Sequence, residues 1–230
     1  MTKNTRRTQR GEPSLSRDSI IAASIDLLDA GGDSGLTFRA LSERLGTGAG
    51  AIYWHIANKD DLLDAACDAI VAQTMTTAAG SATMASQEAI RAIGLGLFDA
   101  IDAHPWVGAQ LARAPARMPM VRILEGIGSR VAALGLQGNA LWLGGSALLH
   151  YILGVAAQNA ANRAYAQTHG LVREDYLGAV GAEWSQLDAD AYPFTRGIAA
   201  QLRAHDDRAD FLAGIDLILD GIAAQQARSA

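Results

Sequence analysis

The sequence predicts an all-α protein in which a small N-terminal helical domain is joined to a larger helical domain. Apolar residues recur every three or four positions along most of the chain, which is the period of an amphipathic helix. Alternation of β-branched and polar residues, which indicates strands, is scarce, whereas Ala, Leu and Gly dominate. Because 50% of the 230 residues are apolar, the chain can bury a sizeable core.

Capping residues delimit the first three predicted helices. Ser16 is expected to cap the first helix, and the glycines at 31 and 32 to end it. Thr37 can cap a second, short helix that stops at Gly46, and Thr47 is expected to cap the third. Two short helices joined by a tight, glycine-bearing turn form a helix-turn-helix, whose second helix can enter a DNA major groove.

The remaining chain is predicted to continue as helices. Asn58 is expected to cap a long connecting helix that fades near Gly80 and Ser81. Later helices are expected at about 86–103, 106–113, 120–134, 141–167, 193–205 and 207–225. Residues 169–192 are turn-rich and acidic, so we expect a loop there with at most short helical pieces. The predicted domains are a disordered basic tail (1–15), the helix-turn-helix (16–60) and the larger domain (61–230).

The sequence around the predicted third helix resembles the tetracycline repressor (TetR) family of transcription regulators. The run Ile52-Tyr53-Trp54-His55-Ile56, followed by Asn58-Lys59 and the pair Leu62-Leu63, is similar to the tetracycline-repressor branch. The resemblance covers about the first 70 residues; beyond them only helical layout and length match. It implies a ligand-responsive repressor that binds a palindromic operator as a homodimer and is released by a small apolar effector.

The resemblance also implies which residues contact DNA. Arg39 matches a position that reaches guanine, and Ala51 can touch a thymine methyl group. By the same resemblance, the third helix is the recognition helix, which lies against the base pairs. Its exposed positions carry no long side chains with hydrogen-bond donors, so few hydrogen bonds to base edges are expected from it. Alternatively, Tyr53 and Trp54 are core aromatics and Arg39 is a solvated surface charge. The predicted DNA-binding residues are Thr37, Arg39, Gly48, Ala49, Ala51, Tyr53, Trp54, His55 and Lys59.

An effector pocket is implied in the larger domain, with mostly apolar walls and a few polar groups. Each candidate could instead simply pack the core. The drug-binding members hold a magnesium complex with histidines, whereas this sequence has Met75 and Gln110 at about those places, so tetracycline is not the expected effector. The candidate effector-binding residues are Phe98, Ile101, His104, Trp106, Gln110, Leu111, Met118, Leu124, Trp142, Leu149, His150 and Leu153.

The apolar run 141–157 can be interpreted either as a membrane span or as a buried helix of a soluble protein. It is just short of the roughly 18 residues that can span a bilayer, and it contains Gly144, Gly145, Ser146 and His150, so we expect a buried helix of a soluble protein. By resemblance, helices near 140–165 and 207–225 pack against their copies in a second subunit.

Charge and composition indicate where positive charge is concentrated, where the protein is located and whether it is an enzyme. Residues 1–60 carry eight Lys or Arg against seven Asp or Glu, a formal charge of +1, which leaves −6 for the rest of a chain whose net charge is −5. A single cysteine, Cys67, and the lack of an apolar secretion signal predict a cytoplasmic protein. No metal-ligand spacing, nucleophile motif or phosphate loop is present, so we expect no catalytic residue, metal or cofactor. The alternative is a helical small-molecule carrier or enzyme that does not bind DNA.

Overall fold

The computed structural model of the chain describes residues 15–78, 84–113 and 116–229. Every regular element within these ranges is a helix, which confirms the predicted fold class. The chain divides into two compact units, one ending at Ala66 and one beginning at Cys67. We call them the head (15–66) and the body (67–229). The predicted tail, apart from its last residue, and the helix end expected near Gly80 and Ser81 lie outside the described residues.

Three helices form most of the head. Ser16 caps the first helix as predicted: its hydroxyl accepts a bond from the Ser19 backbone N–H (3.1 Å) and its own N–H donates to the Ser19 hydroxyl (3.0 Å). The expected end at the glycines at 31 and 32 is only partly right. Gly32 does break the helix, with φ +60° and ψ −159°, but a further turn follows. The three helices are α1 (Arg17–Gly35), α2 (Phe38–Leu45) and α3 (Ala49–Tyr53).

The turn between α2 and α3 follows the prediction except at one residue. Thr37 caps α2, because its hydroxyl accepts the backbone N–H three residues on at 3.1 Å. Gly46 ends α2 in the left-handed conformation, with φ +63°. The prediction that Thr47 caps α3 is wrong, since Gly48 occupies that position. Thr47 belongs to the end of α2, where its N–H donates to the Ser42 carbonyl (3.0 Å).

The connecting helix α4 (Lys59–Ala78) starts at the predicted cap. The Asn58 side-chain oxygen accepts the Asp61 backbone N–H at 2.9 Å. The units divide at Ala66 rather than at residue 60, because the first two turns of α4, with the buried Leu62 and Leu63, group with the head.

The body is a helical bundle built around one long helix. That helix, α8, packs against α5, α6, α7 and α11, and its Leu148, Ile152 and Ala156 are fully buried. Gly94 helps α5 and α11 to lie close together, because a Cβ there would lie 2.5 Å from Ile215 Cδ1 and would push that side chain aside. The helices after α4 are α5 (Ser86–Ala103), α6 (Pro105–Arg113), α7 (Met118–Ala133), α8 (Gly138–Thr168), α9 (Arg173–Ser185), α10 (Pro193–Ile198), a 3-10 helix (Ala199–Ala204) and α11 (Asp207–Ser229).

The expected loop at 169–192 is wrong, because thirteen of its residues form α9. Gly178 and Gly181 suggest a turn in the sequence, but Gly181 serves close packing instead. A Cβ at Gly181 would lie 2.7 Å from the Ala199 carbonyl oxygen, so the glycine lets α9 lie directly against the 3-10 helix. The helix expected from Pro193 to His205 is present, although its second half is 3-10 rather than α.

Helix α8 is long and apolar enough to cross a membrane by length and composition, with mean hydropathy 1.5 over its most apolar window of 18 residues. A single chain buries 33% of that window. The rest of that window is partly or fully exposed in a single chain.

Candidate functional site

The exposed face of α3 carries almost no side chains. Gly48, Ala49 and Gly50 are all exposed, while Ile52 on the opposite face is fully buried and anchors the helix. Nothing longer than a methyl group therefore projects from the first turn of α3. Such a face allows the helix backbone to approach another surface closely.

Neither glycine of α3 is required by the fold of the head. Gly48 has an ordinary extended backbone, and Gly50 is helical. A Cβ added at either position would meet nothing within 4 Å. Glycine inside a helix costs about 0.5–1 kcal/mol relative to alanine. The head therefore carries a glycine at position 50 that its own packing does not explain.

Aromatic side chains border the bare face of α3. The Tyr53 ring stacks on Phe38, with ring centroids 4.4 Å apart, and remains 52% exposed. Trp54 is 90% exposed. The alternative that Tyr53 and Trp54 are core aromatics does not fit these exposures. An indole left so open to water is available to contact a partner molecule.

The polar residues predicted near DNA are also exposed. Thr37 and His55 lie on the surface of the head. The Arg39 side chain is 88% exposed, and its Nε donates to Glu43 Oε1 at 2.9 Å, one turn further along α2. This bond orients the guanidinium and uses one of its five N–H donors, so the others remain to bind acceptors.

Lys59 is placed differently from the expectation of a phosphate contact. Its ammonium donates to the Asp33 carbonyl oxygen (2.6 Å) and pairs with Asp33 Oδ1 (2.7 Å). Two of its three donors therefore tie the start of α4 to the end of α1. Ala51, the predicted thymine contact, is half-buried.

The body contains a cleft of about 880 Å³. Its walls come from α5, the second half of α8, α9, the 3-10 helix and the start of α11. Aromatic and aliphatic groups make up much of the lining: Phe98, Tyr165, Tyr176, Leu177, Val180, Trp184 and Leu202. This volume lies in the range of small-molecule sites in proteins.

The charged groups around the cleft are paired within the protein. Arg163 pairs with Asp102, and Arg208 pairs with Asp99. Arg173 binds Asp207 through two donors, at 2.7 and 3.1 Å.

The carboxylates at the start of α11 are also engaged. Backbone N–H groups of Ala209 and Arg208, each 3.0 Å from Asp206 Oδ1, lower the pKa of Asp206. His205 lies between Asp207 (3.0 Å) and Asp210 (2.5 Å).

The predicted effector-binding residues are scattered through the body. Phe98 lines the cleft. Ile101, Gln110, Leu111 and Leu149 are buried, and Leu124 and Leu153 pack partly buried against the core. His104 and Trp106 are half-buried with their rings edge to face, 6.2 Å apart. Met118, Trp142 and His150 are exposed and do not line this cleft.

Of the cleft-lining residues, only Phe98 was predicted, and those on α9 were missed because that segment was expected to be a loop. A helical pattern was nevertheless present there. Tyr176, Leu177, Val180 and Trp184 are spaced by one, three and four residues, which places them on one face of a helix.

No group of three His, Cys, Asp or Glu side chains within the described part of the chain could hold a metal ion. Cys67 is buried in the core of the body.

The candidate functional surfaces are thus a bare helix face in the head and a polar and aromatic cleft in the body. A helix-turn-helix head on an all-α body defines a DNA-binding transcriptional regulator.

Comparisons with known proteins agree. The family model described as "Bacterial regulatory proteins, tetR family" matches residues 20–66. A solved transcriptional regulator of Streptomyces coelicolor, described as a TetR, is 50% identical with a TM-score of 0.82, over 91% of this chain and 98% of that one. The class A tetracycline repressor of transposon 1721 from Escherichia coli is 47% identical over 62 residues, 27% of this chain and 29% of the repressor. The Streptomyces coelicolor TetR family protein ActR, solved in complex with actinorhodin, is 21% identical with a TM-score of 0.74, over 93% of this chain and 99% of that one.

This chain belongs to the TetR family of transcriptional regulators. The resemblance predicted from residues 52–63 is confirmed, and its link to the tetracycline-repressor branch lies in the head, where the class A repressor matches.

Proposed function

We propose that the chain is a repressor that binds a palindromic operator as a homodimer and leaves it when a small molecule binds the body. The single observation that carries the proposal is the bare first turn of α3, with Gly48, Ala49 and Gly50 exposed beside the exposed Arg39 and Trp54. A helix with so few side chains can lie deep in a major groove, where its backbone is close to the base edges.

In this proposal, sequence is read mainly from the border of α3. The free donors of Arg39 suit the O6 and N7 acceptors of a guanine. Thr37, Tyr53, Trp54 and His55 contact phosphates and set the register, without reading bases.

The homodimer is supported by two exposed stripes of mostly small and apolar residues, one of which also contains His150. On α8, Leu143, Ala147, His150 and Gly154 are exposed at steps of four, three and four residues. This spacing keeps them on one side of the helix.

The second stripe lies on α11. Ala213, Leu217, Gly221 and Ala224 are exposed, and Leu217 has 74% of its surface in water. A Cβ at Gly221, or at Gly154 of the α8 stripe, would meet nothing within 4 Å, so both glycines leave space beside their helices. We propose that α8 and α11 pack against the same helices of a second copy, as a four-helix interface.

We propose that the connecting helix α4 transmits movement of the body, caused by the effector, to the DNA-binding head. It begins in the head and ends in the body. In the body, Asp68 on α4 accepts two bonds from Arg122 on α7, at 2.6 and 3.2 Å, and this partner raises the pKa of Arg122. A ligand that moves the body helices would therefore move α4 and change the spacing between two recognition helices, which must match one helical turn of DNA, about 34 Å.

The proposal includes a soluble, cytoplasmic protein without enzymatic activity. The apolar α8 fits this proposal, because a subunit interface covers the part that a single chain leaves exposed. ActR shows that the same fold can hold a small molecule, in its case actinorhodin.

A gel-shift experiment tests the proposal. The full-length protein is titrated onto the DNA upstream of its own coding sequence, at several salt concentrations, with a shuffled sequence of the same composition as the control. We expect retardation of the upstream fragment only, weakening steeply as salt rises. Equal retardation of both fragments, or none at all, contradicts a sequence-specific regulator.

A further inference from the structure

We infer that the cleft between α8 and α9 binds an uncharged, flat, aromatic molecule that carries several hydroxyl or carbonyl groups. This inference rests on the proposed function, because it names the class of effector. It is argued from the charges, the unpaired polar groups and the rings on the walls of the cleft.

The charge pattern disfavours ionic ligands. All three arginines on the walls already bind carboxylates: Arg163 to Asp102, Arg173 to Asp207 and Arg208 to Asp99. An anionic ligand would compete with these carboxylates for the arginines, and a cationic ligand would compete with the arginines for Asp102 and Asp207. Asp206, the remaining carboxylate of the lining, already accepts two backbone N–H groups. Binding an ion would therefore weaken existing charge-assisted bonds, so the cleft favours a molecule without net charge.

Unpaired hydrogen-bonding groups remain on the same walls. The Gln158 and Asn162 amides, the Tyr165 and Tyr176 hydroxyls and the Trp184 indole N–H have no hydrogen-bond partner among the described residues. Together they offer both donors and acceptors. A purely hydrocarbon ligand, such as a long acyl chain, would bury these groups unpaired, which is costly. A ligand with hydroxyl and carbonyl groups would pair them.

The ring arrangement favours a flat ligand. Tyr165 and Tyr176 lie with their centroids 6.3 Å apart, and Phe98 and Trp184 also face the cleft. Aromatic side chains bind other aromatic systems by offset stacking and edge-to-face contact. A rigid ring system also loses little conformational entropy on binding.

Three probes that share one ring system test this class. They are 4′,5,7-trihydroxyflavone, unsubstituted flavone and a sulfonated flavone, each titrated into the full-length protein by calorimetry. We expect the trihydroxyflavone to bind at least tenfold more tightly than either of the others. Equal affinity for flavone, tighter binding of the sulfonate, or no binding of the trihydroxyflavone overturns the inference.

Substitutions on the walls locate the site. Val180→Trp fills the cleft and should abolish binding of the trihydroxyflavone. Ala179→Trp, at the exposed neighbouring position of α9, is the matched control and should leave binding unchanged. Asn162→Leu and Tyr176→Phe should each weaken the trihydroxyflavone by about 2- to 10-fold without weakening flavone. If Val180→Trp binds the probe like the wild type, or both tryptophan variants lose it, the cleft is not the site.

The result can be separated from the proposed function by a gel shift without any ligand. A protein that retards its upstream DNA but ignores the trihydroxyflavone contradicts only the ligand class. A protein that binds the trihydroxyflavone through Val180 and Asn162 but retards no DNA contradicts the repressor and retains the cleft.

Discussion

The head exposes the backbone of one helix, α3, whereas the body exposes apolar side chains on α8 and α11. Around α3 the surface consists of glycine and alanine, and the long groups stand at its border, as with Arg39 at 88% exposure. The body instead exposes apolar stripes on α8 and α11 and keeps a cleft lined by rings and amides. Under our proposal, the surface of the head fits a rigid, charged polymer, whereas the surfaces of the body fit a second protein chain and a small molecule.

The largest effect is expected from breaking the α11 stripe. Leu217→Glu puts a charge where two apolar helices would meet, so we predict a monomer in sedimentation velocity. Operator affinity should fall on the order of 100-fold or more, because two linked heads bind far more tightly than one. Phe194→Glu is the control, since Phe194 is 75% exposed but lies on α10, away from the stripes. A Leu217→Glu protein that still forms dimers would remove the assigned interface.

Loss of the proposed base contact should come next. Arg39→Ala is predicted to cost about 1–3 kcal/mol of operator binding and to relax the preference at one base pair of each half-site. Arg44→Ala is the control on the same helix, because Arg44 pairs with Asp26 in the head. Competition binding against a set of single-base operator variants measures both effects. If Arg44→Ala relaxes specificity and Arg39→Ala does not, the assignment of Arg39 is incorrect.

Gly50→Ala is expected to raise the stability of the head but to lower its affinity for the operator. A methyl group at position 50 meets nothing in the head, so the variant should be more stable by about 0.5–1 kcal/mol. Operator affinity should nevertheless fall several-fold, because the added methyl holds α3 away from the DNA. Gly31→Ala, at an exposed position of α1 with similar free space, should stabilise without affecting the operator. Hydrogen exchange of the head amides and gel shifts measure the two quantities; undiminished operator binding by Gly50→Ala would show that no close approach occurs there.

The smallest effect is expected from a single hydroxyl group. Tyr53→Phe retains the stack on Phe38 but removes the proposed phosphate bond, so stability should be unchanged. Operator affinity should fall by about 0.5–1.5 kcal/mol at every sequence tested. Tyr192→Phe, in the body with the same 52% exposure, is the control. A loss confined to one operator sequence would indicate that Tyr53 reads a base instead.

Local signals made most of the head predictable. Ser16, Thr37, Gly46 and Asn58 act within four residues of their own positions, so sequence alone places them correctly. The prediction for Thr47 fails because this residue belongs to the turn that ends α2, where its N–H donates to the Ser42 carbonyl, and Gly48 takes the cap position of α3.

The cleft was not predictable in the same way. It depends on pairs that lie far apart in the chain, such as Arg163 with Asp102 and Arg208 with Asp99, the latter 109 residues apart. Gly181 illustrates the difficulty, because its structural role is to leave room for the Ala199 carbonyl that packs against it. The helical spacing from Tyr176 to Trp184 was the one local clue.

The stoichiometry of the operator complex tests the central claim most directly. Sedimentation equilibrium of the full-length protein with the shortest retarded upstream fragment should give two chains for each palindrome, and a single half-site should bind at least 100-fold more weakly. One chain bound to an isolated half-site with undiminished affinity would contradict a dimer that presents two bare recognition helices to DNA.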